Sequence, residues 1–195
     1  QMSVVSGHLR IYGIYTMCAE YLPNQIKTFK EKYPQVTIGM EYRTTDAVLD
    51  ALVNHTIDLG FCGNYDAEQK SYKKLQRTLI RKEELIILVP QSHPLAGRKT
   101  VRFEELRGES FVVHKHRQTG TCSVFTGLCK QYGFTPNVEF EVPDDQSILG
   151  LVRNGLGIAL IADSPSLKTE GTATVRLEKD TPVREQYMVW CNEEY

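Results

Sequence analysis

Apolar and polar positions follow two different periods along the chain, and the region around Gly155 shows the change most clearly. Ile148, Leu151 and Val152 recur on one face of a helix. Gly155 is placed to end this helix. The apolar run after Gly157 is too short for a helix and is typical of a buried strand. The region therefore predicts a helix, a tight glycine turn and a strand, which together are typical of α/β proteins.

The first half of the chain alternates in the same way between strand-like and helix-like patterns. Alternation of apolar and polar side chains predicts a strand at residues 36–42. Thr44, Thr45 and Asp46 offer capping chemistry for the helix that follows this strand. The predicted series is a strand at 9–14, a helix with apolar positions from 19 to 29, a strand at 36–42, a helix at 46–54 and a strand at 57–62.

The second half repeats the alternation after a polar, weakly patterned tract at residues 63–82. Strands are predicted at 84–89, 108–113, 137–142, 158–162, 174–177 and 186–190, and helices at 121–132 and 145–154. Alternating strands and helices predict parallel sheets that are covered by helices. Two such series of similar size predict two lobes, with a ligand cleft near the carboxyl ends of the strands.

Composition excludes several classes of function. The 195 residues are 41% hydrophobic and 24% charged, and a formal net charge of −1 disfavours binding of nucleic acid by this chain itself. No apolar run approaches the roughly 20 residues of a membrane span, and no signal peptide is visible. Five cysteines without a Cys-x-x-Cys spacing indicate reduced thiols, so we expect a cytoplasmic protein with no metal and no cofactor. No spacing typical of a catalytic nucleophile or of paired carboxylates occurs, so we do not expect an enzyme.

Five short motifs occur in a fixed order along the chain. They are Gly7-His8-Leu9-Arg10-Ile11, the stretch from Leu22-Pro23 through Phe29 to Tyr33-Pro34-Gln35-Val36, Ile57-Asp58-Leu59-Gly60-Phe61, Glu84 to Ala96 with His93-Pro94-Leu95-Ala96, and Leu151 to Ile161. In order and spacing the set resembles the effector-binding domain of LysR-type bacterial transcription regulators. The resemblance covers essentially the whole chain and depends on all five motifs together.

The resemblance implies an α/β, two-lobed fold of the type-2 periplasmic-binding-protein class, with a ligand cleft between the lobes. Lobe I would comprise residues 1–82 and 183–195, and lobe II residues 83–182. The chain would sense a small-molecule effector and form homodimers, with tetramers in the full-length regulator. The winged helix-turn-helix of the family is absent from this sequence, so promoter DNA would be bound only through that domain. The alternative is a solute-binding protein of a transport system, and an enzyme on this scaffold has only fold analogy in its favour.

Candidate effector-binding residues of lobe I follow the predicted strands. After strand one, backbone N–H groups at a helix start and the Thr16 hydroxyl can bind a carboxylate. After strand two, one of two adjacent threonines would cap the helix and the other would face the ligand. Phe61 ends strand three, either as a wall of the cleft or as a core residue. The residues selected are Thr16, Met17, Cys18, Thr44, Thr45 and Phe61.

Candidates of lobe II lie in a cationic loop at residues 114–117 and at the start of two helices. The loop predicts an anion-binding wall, with Thr119 or Thr121 as a hydroxyl donor, although such charges can equally form a solvated surface. Asp144 is suited to cap a helix, or with Asp145 to bind the amino group of an amino acid. The residues selected are Lys115, His116, Arg117, Thr119 and Asp144. We therefore expect a small anionic or zwitterionic effector.

Two cysteines raise the possibility of redox sensing. By resemblance, Cys122 and Cys129 lie in the region where peroxide-sensing members of the family carry cysteines. On one helix these residues are about 10 Å apart. A disulfide needs Cα atoms within about 7 Å, so this helix would have to unwind before the two could pair.

The resemblance also implies how two copies would pair. Helix 46–54 of one subunit would pack against helix 121–132 of the other. Each helix has apolar residues on more than one face, which favours a second contact beyond the core. We therefore expect Leu49→Asp or Val53→Asp to weaken the dimer without unfolding the lobe.

Overall fold

The structure is a computed structural model that describes residues 5–115, 119–164, 167–179 and 181–192. The chain forms two compact units, which are Gln1–Arg81 with Gln186–Tyr195 (unit 1) and Lys82–Glu185 (unit 2). Both units combine strands with helices, so the predicted α/β class is confirmed. Within the described residues, no helix has the length and apolar character needed to cross a membrane.

The helices and strands follow the predicted order. The strands are β1 (Gly7–Gly13), β2 (Val36–Tyr42), β3 (Leu59–Cys62), β4 (Leu75–Pro90), β5 (Thr100–Val101), β6 (Ser110–His114), β7 (Asn137–Val142), β8 (Ala159–Ala162), β9 (Thr172–Leu177) and β10 (Val183–Cys191). The α-helices are α1 (Leu22–Lys32), α2 (Thr45–Val53), α3 (Gly120–Gln131) and α4 (Asp145–Arg153). A π-helical turn, Met17–Tyr21, precedes α1, and neither this turn nor the short strand β5 was predicted.

Unit 1 is a sheet in which β1 lies between β2 and β3 and is parallel to both. Strand β10 pairs with β3 in the antiparallel direction, so the expectation of parallel strands alone is wrong here. Helix α2 packs closely on this sheet because Gly60 has no side chain. A Cβ atom at Gly60 would lie 2.6 Å from Val48 Cγ1 and 2.8 Å from Leu52 Cδ1.

Unit 2 is built around the apolar half of β4. Leu85, Ile87 and Val89 belong to one buried cluster, whereas Ile86 and Leu88 belong to another. Successive side chains of a strand point to opposite faces, so a strand that is buried on both faces needs an unbroken apolar run. Strand β4 pairs antiparallel with β8 and β9, and β6 pairs parallel with β7.

Strand β4 begins at Leu75, earlier than the predicted start at Glu84. Its first part, residues 75–81, lies next to β10 in the sheet. Residues 76–79 are exposed, and three of them, Gln76, Arg77 and Thr78, are polar, so this part lacks the apolar pattern on which the prediction depended. Backbone pairing forms this part of the strand, and backbone pairing leaves little trace in side-chain periodicity.

Helices α2 and α3, which were proposed for dimer contact, bury several of their apolar residues in the core of their own unit. In α2, Leu49 has no exposed surface, and Val53 is half-buried against the same core cluster. In α3, Phe125 and Leu128 are buried within unit 2. The structure therefore contradicts the placement of Leu49 on a free dimer face, because the core of unit 1 uses this side chain, and we expect Leu49→Asp to unfold the lobe.

Gly157 is the turn position at which a side chain is least tolerated. Its φ is +146°, and an ideal Cβ would lie 2.7 Å from the backbone oxygen of Ser110. The same oxygen accepts the N–H of Ile158 at 2.8 Å. We expect Gly157→Ala to lower the free energy of unfolding by about 1–3 kcal/mol, because strain and a backbone clash add.

Urea unfolding followed by circular dichroism checks this prediction, and Gly150→Ala is the matched control. Gly150 is exposed in α4, with nothing within 4 Å of an added Cβ. Alanine there should stabilise the helix by about 0.5–1 kcal/mol. Equal effects of the two substitutions would contradict the role given to Gly157.

Candidate functional site at the carboxyl edges of the strands

The carboxyl ends of three neighbouring strands meet at one edge of unit 1. Gly13 at the end of β1 is level with Tyr42 of β2 and Phe61 of β3. The connections are held close together, since Arg43 N–H donates to Gly13 O and Ile14 N–H donates to Phe61 O, each at 2.9 Å. This edge therefore gathers the residues that directly follow each strand. Ligands of open α/β sheets bind at such edges.

Thr16 lies at this edge and is buried, with 6% of its surface exposed. Its Oγ1 accepts a hydrogen bond from Gln186 Nε2 at 3.0 Å. Arg81 Nε donates to Gln186 Oε1 at 2.5 Å, and the Arg81 guanidinium also contacts Glu20 at 3.5 Å. The selected threonine is thus connected to two polar residues that the sequence analysis did not select.

The two adjacent threonines after β2 have different roles. Thr44 occupies the N-cap position of α2, but its side chain makes no capping hydrogen bond. The Thr45 hydroxyl is buried and accepts the Gly63 N–H at 3.1 Å, which joins the start of α2 to the end of β3. Of the pair, Thr44 has the hydroxyl that remains half-buried at the edge.

Met17 and Phe61 are core residues, so neither side chain forms part of an open edge. Met17 has no exposed surface and Phe61 has 4%, and both pack with Ile11 and Leu22. Cys18 is half-buried, and its Sγ lies 3.7 Å from Glu41 O. Burial raises the pKa of this thiol, which favours its neutral form. Three of the selected residues therefore do not offer a charged or free hydrogen-bonding group.

An aromatic pair at the same edge was not predicted from the sequence. Tyr15 and Tyr42 are 37% and 36% exposed, and their rings meet edge to face with centroids 5.9 Å apart. Arg43 lies over the ring of Tyr12 at 5.0 Å. A tyrosine directly after one strand and another at the end of its neighbour were the available signal, because parallel strands bring such positions together.

Unit 2 has its own carboxyl edge, where the parallel strands β6 and β7 end. Lys115 follows β6, has an exposed side chain, and donates its backbone N–H to Val142 O at 2.9 Å. Thr119 is buried at the N-cap position of α3 without a side-chain capping bond. Asp144 caps α4, since its carboxylate accepts the Ser147 N–H at 2.8 Å. The selected residues His116 and Arg117 lie outside the described residues.

A buried group of charges lies beneath this edge. Arg184 donates to Glu83 at 2.6 Å and to Asp145 at 3.0 Å, and all three side chains are less than 10% exposed. His114 Nε2 lies 2.8 Å from the other oxygen of Asp145. Burial alone would raise the pKa of Asp145, but the charges of Arg184 and His114 outweigh it and lower that pKa below its usual range.

This arrangement corrects two expectations. Asp145 is not placed to bind the amino group of an amino acid, because Arg184 and His114 already occupy its two oxygens. His114 is directed to Asp145 and does not belong to an anion-binding wall. The sequence did not reveal Arg184 as a partner, because it is 39 positions away from Asp145.

A cavity of about 440 Å³ lies in unit 2 near the amino end of β6, and the sequence analysis did not predict it. Its lining includes His93, Glu109, Glu139, Phe140 and Leu156. His93 Nε2 lies 3.3 Å from Glu109, and His93 Nδ1 accepts the Leu95 N–H at 3.2 Å. This cavity is therefore separate from the carboxyl edge of β6.

The two cysteines considered for redox sensing are buried in unit 2. Cys122 and Cys129 are both 3% exposed, and burial raises the pKa of Cys129 to about 11. Neutral buried thiols are poor nucleophiles and are slow to oxidise. In the described part of the chain, no three His, Cys, Asp or Glu side chains are grouped to hold a metal ion.

Comparison with curated proteins finds transcription regulators. The chain is 30% identical over 176 residues to the transcriptional dual regulator GltC of Bacillus subtilis (strain 168), across 90% of this chain and 57% of GltC. It is 28% identical over 190 residues to the uncharacterized HTH-type transcriptional regulator YnfL of Escherichia coli (strain K12), across 95% and 62%. The chain thus spans 57–62% of the length of these relatives, which are named as regulators and not as enzymes.

Comparison with solved structures finds the same fold. The effector-binding domain of QuiR in complex with shikimate has a TM-score of 0.87 at 21% identity, covering 98% of this chain and 90% of that one. The BenM effector-binding domain with its effector benzoate has a TM-score of 0.75 at 24% identity, covering 96% and 84%. The fold is therefore that of LysR effector-binding domains, which is of the periplasmic-binding-protein-like type.

The family follows from the length of the sequence match. The LysR substrate binding domain family matches residues 3–195. A regulatory ligand-binding domain is therefore favoured over a transport solute-binding protein. The chain belongs to the family of LysR substrate binding domains.

Proposed function

We propose that this chain is the effector-sensing domain of a LysR-type bacterial transcription regulator. Units 1 and 2 would be its two regulatory lobes, and the ligand cleft between lobes remains a prediction. The domain would pair with a second copy, and a separate DNA-binding domain of the longer regulator would contact the promoter. Effector binding can shift such a regulator only by the difference in its affinity for the two states.

One observation carries the choice of effector class. At the carboxyl edge of unit 1, Thr16 and Thr44 bring hydroxyl groups next to the starts of two helices. Hydroxyl and backbone N–H donors in this arrangement favour a carboxylate or another small anion. The effectors named with QuiR and BenM, shikimate and benzoate, are carboxylates, which agrees with this choice. Lys115 and Thr119 would add donors at the edge of unit 2.

A thermal-shift panel tests the proposal with the 195-residue chain. The panel contains benzoate, shikimate, other small organic acids and the amino acids. A ligand that binds only the folded state raises the melting temperature, so we expect at least one anionic or zwitterionic compound to do so. A shift with cationic or uncharged compounds alone would contradict the proposed effector class, and no shift with any compound would count against effector sensing at this edge.

Thr16→Val tests whether the effector binds at unit 1. Valine keeps the shape of threonine but has no hydroxyl, so a hydrogen bond to a charged group is lost. We expect the Kd of the best panel compound to rise about tenfold or more by calorimetry. Thr28→Val is the matched control, because Thr28 is exposed on α1 and its hydroxyl donates to Asn24 O of the same helix. An unchanged Kd for Thr16→Val would place the effector elsewhere.

A further inference from the structure

A continuous line of hydrogen bonds reaches the carboxyl edge of unit 1 from two strands. Arg81 of β4 donates through Nε to Gln186 Oε1 at 2.5 Å. Gln186 of β10 donates through Nε2 to Thr16 Oγ1 at 3.0 Å. Gln186 has no exposed surface, so water does not compete for either bond. The order of donors and acceptors along this line decides what Thr16 can offer to a ligand.

The donor–acceptor order along these hydrogen bonds follows from the chemistry of Arg81, with which the line begins. A guanidinium group has donors and no acceptor, so the amide atom that faces Arg81 must be the oxygen of Gln186. The NH2 group of the amide then faces Thr16 and donates to it. A reversed amide would leave two donors facing each other in a buried site, which costs the bond and the desolvation of both groups.

This direction leaves the hydroxyl hydrogen of Thr16 available. Within the described residues, Thr16 Oγ1 accepts the bond from Gln186, and its hydrogen is donated to no protein group. Successive bonds also polarise one another, which strengthens the hydroxyl as a donor. We propose that Gln186 is a positioning residue that makes Thr16 a hydrogen-bond donor to an acceptor oxygen, such as a carboxylate oxygen, of the effector.

The inference rests on the proposed function and makes its ligand class more specific. The available hydroxyl hydrogen of Thr16 favours the carboxylate of a zwitterionic effector over its ammonium group at this position. The guanidinium of Arg81 is held by Glu20 and Gln186, so it acts on the effector through the amide. Both Arg81 and Gln186 stand on strands that continue into unit 2, β4 and β10.

Gln186→Glu is the direct test, because it keeps the side-chain shape and reverses the hydrogen bond to Thr16, so that Thr16 becomes the donor. A carboxylate at this position accepts from Arg81 and also from the Thr16 hydroxyl. The hydroxyl hydrogen then points inward, and its lone pairs face the effector. The probes are the panel carboxylate with the largest thermal shift and its primary carboxamide, for example benzoate and benzamide.

The expected result is a loss of selectivity between the two probes. In Gln186→Glu the Kd of the carboxylate should rise about tenfold or more, whereas the carboxamide, which can donate to a lone pair, should lose less. A purely structural role of Gln186 would weaken both probes alike. Gln76→Glu is the matched control, since Gln76 is an exposed glutamine of β4 in the same unit. It should change neither Kd.

A double-mutant cycle separates the effect of reversing the Thr16 hydroxyl from simple charge repulsion between the new carboxylate and the effector. When Thr16 is already valine, Gln186→Glu should have little further effect on the carboxylate, because no hydroxyl remains to be turned. An equally large loss in that background would overturn the inference and assign the effect to the added charge. If Gln186→Glu does not fold, Gln186→Met removes both hydrogen bonds of the amide without adding charge. It should also reduce the selectivity for the carboxylate over the carboxamide.

The outcomes distinguish this inference from the proposed function. If no panel compound binds, or if Thr16→Val has no effect, the proposed effector site itself is wrong. If Thr16→Val weakens binding but Gln186→Glu and Gln186→Met leave the selectivity unchanged, the site stands and the role of Gln186 is wrong.

Discussion

Replacing Arg184 with methionine should destabilise the chain by about 3–5 kcal/mol, because it removes the partner of a buried charge. Glu83 and Asp145 both bond to this guanidinium, and all three side chains are less than 10% exposed. Methionine fills part of the space but supplies no charge. The remaining carboxylates then have to stay ionised or take up protons inside the protein, and either change costs stability.

Urea unfolding measures the loss, and hydrogen exchange of peptides from unit 2 locates it. Arg176→Met is the matched control, since Arg176 also pairs with two acidic residues, Glu84 and Asp163, but is 55% exposed. Exposed pairs contribute about 0–1 kcal/mol, so the control should change little. Similar losses of stability from both substitutions would show that burial is not the reason why the Arg184 ion pairs stabilise the chain.

The effect of Arg184→Met should depend on pH with a definite sign. Arg184 helps to hold the pKa of folded Asp145 below its unfolded value, so this stability is present at neutral pH and is lost as the pH falls through the folded pKa. Without Arg184, burial favours the protonated carboxyl group. The variant's Asp145 therefore takes up its proton at a higher pH than that of the wild type, so the difference in stability between the two should shrink as the pH falls from neutrality through the usual aspartate range. A constant difference would contradict this account.

Leu49→Asp should unfold unit 1 and should not produce a folded monomer. Leu49 has no exposed surface and packs in a core cluster with Val48, Leu52 and Val189. A carboxylate at this position loses the packing of the leucine, worth about 2–5 kcal/mol. It also has to be desolvated in a cluster whose buried members are apolar or aromatic, which adds to the loss.

Fluorescence of Trp190 reports this unfolding, because Trp190 is the chain's single tryptophan and lies on β10 within unit 1. Met40→Asp is a suitable control, since Met40 is 40% exposed on β2 of the same unit. It should leave the unfolding midpoint nearly unchanged. A folded Leu49→Asp variant with normal Trp190 fluorescence would support the earlier expectation of an exposed dimer face.

Element type and order were predictable wherever side-chain periodicity was strong. Helix α4, the turn around Gly155 and strand β8 agree with the pattern of apolar positions in this region. The first part of β4 was missed, because backbone pairing forms it and residues 76–79 are exposed. Antiparallel pairing of β10 was missed for a related reason, since strand direction depends on the path of the chain between strands.

The candidate site was only partly predictable. The sequence placed threonines after two strands, and the structure brings Thr16 and Thr44 to one edge. The sequence could not show that Met17 and Phe61 face the core, because an apolar side chain near a strand end suits a core and the wall of a ligand site equally well. For Asp144 the alternative of a helix cap is confirmed, since capping depends on neighbours only three residues away, and its selection as an effector contact stays a prediction.

The sequence by itself determined the α/β class, the family and most of the helices and strands, because these depend on local periodicity, turn chemistry and short motifs. Only the tertiary structure decided which polar side chains meet. Gln186 bonds to Thr16 across 170 positions, and Arg184 bonds to Asp145 across 39. Such partners are joined by the packing of strands that lie far apart in the chain. A buried polar group must find a partner, but its own sequence neighbourhood does not say which one.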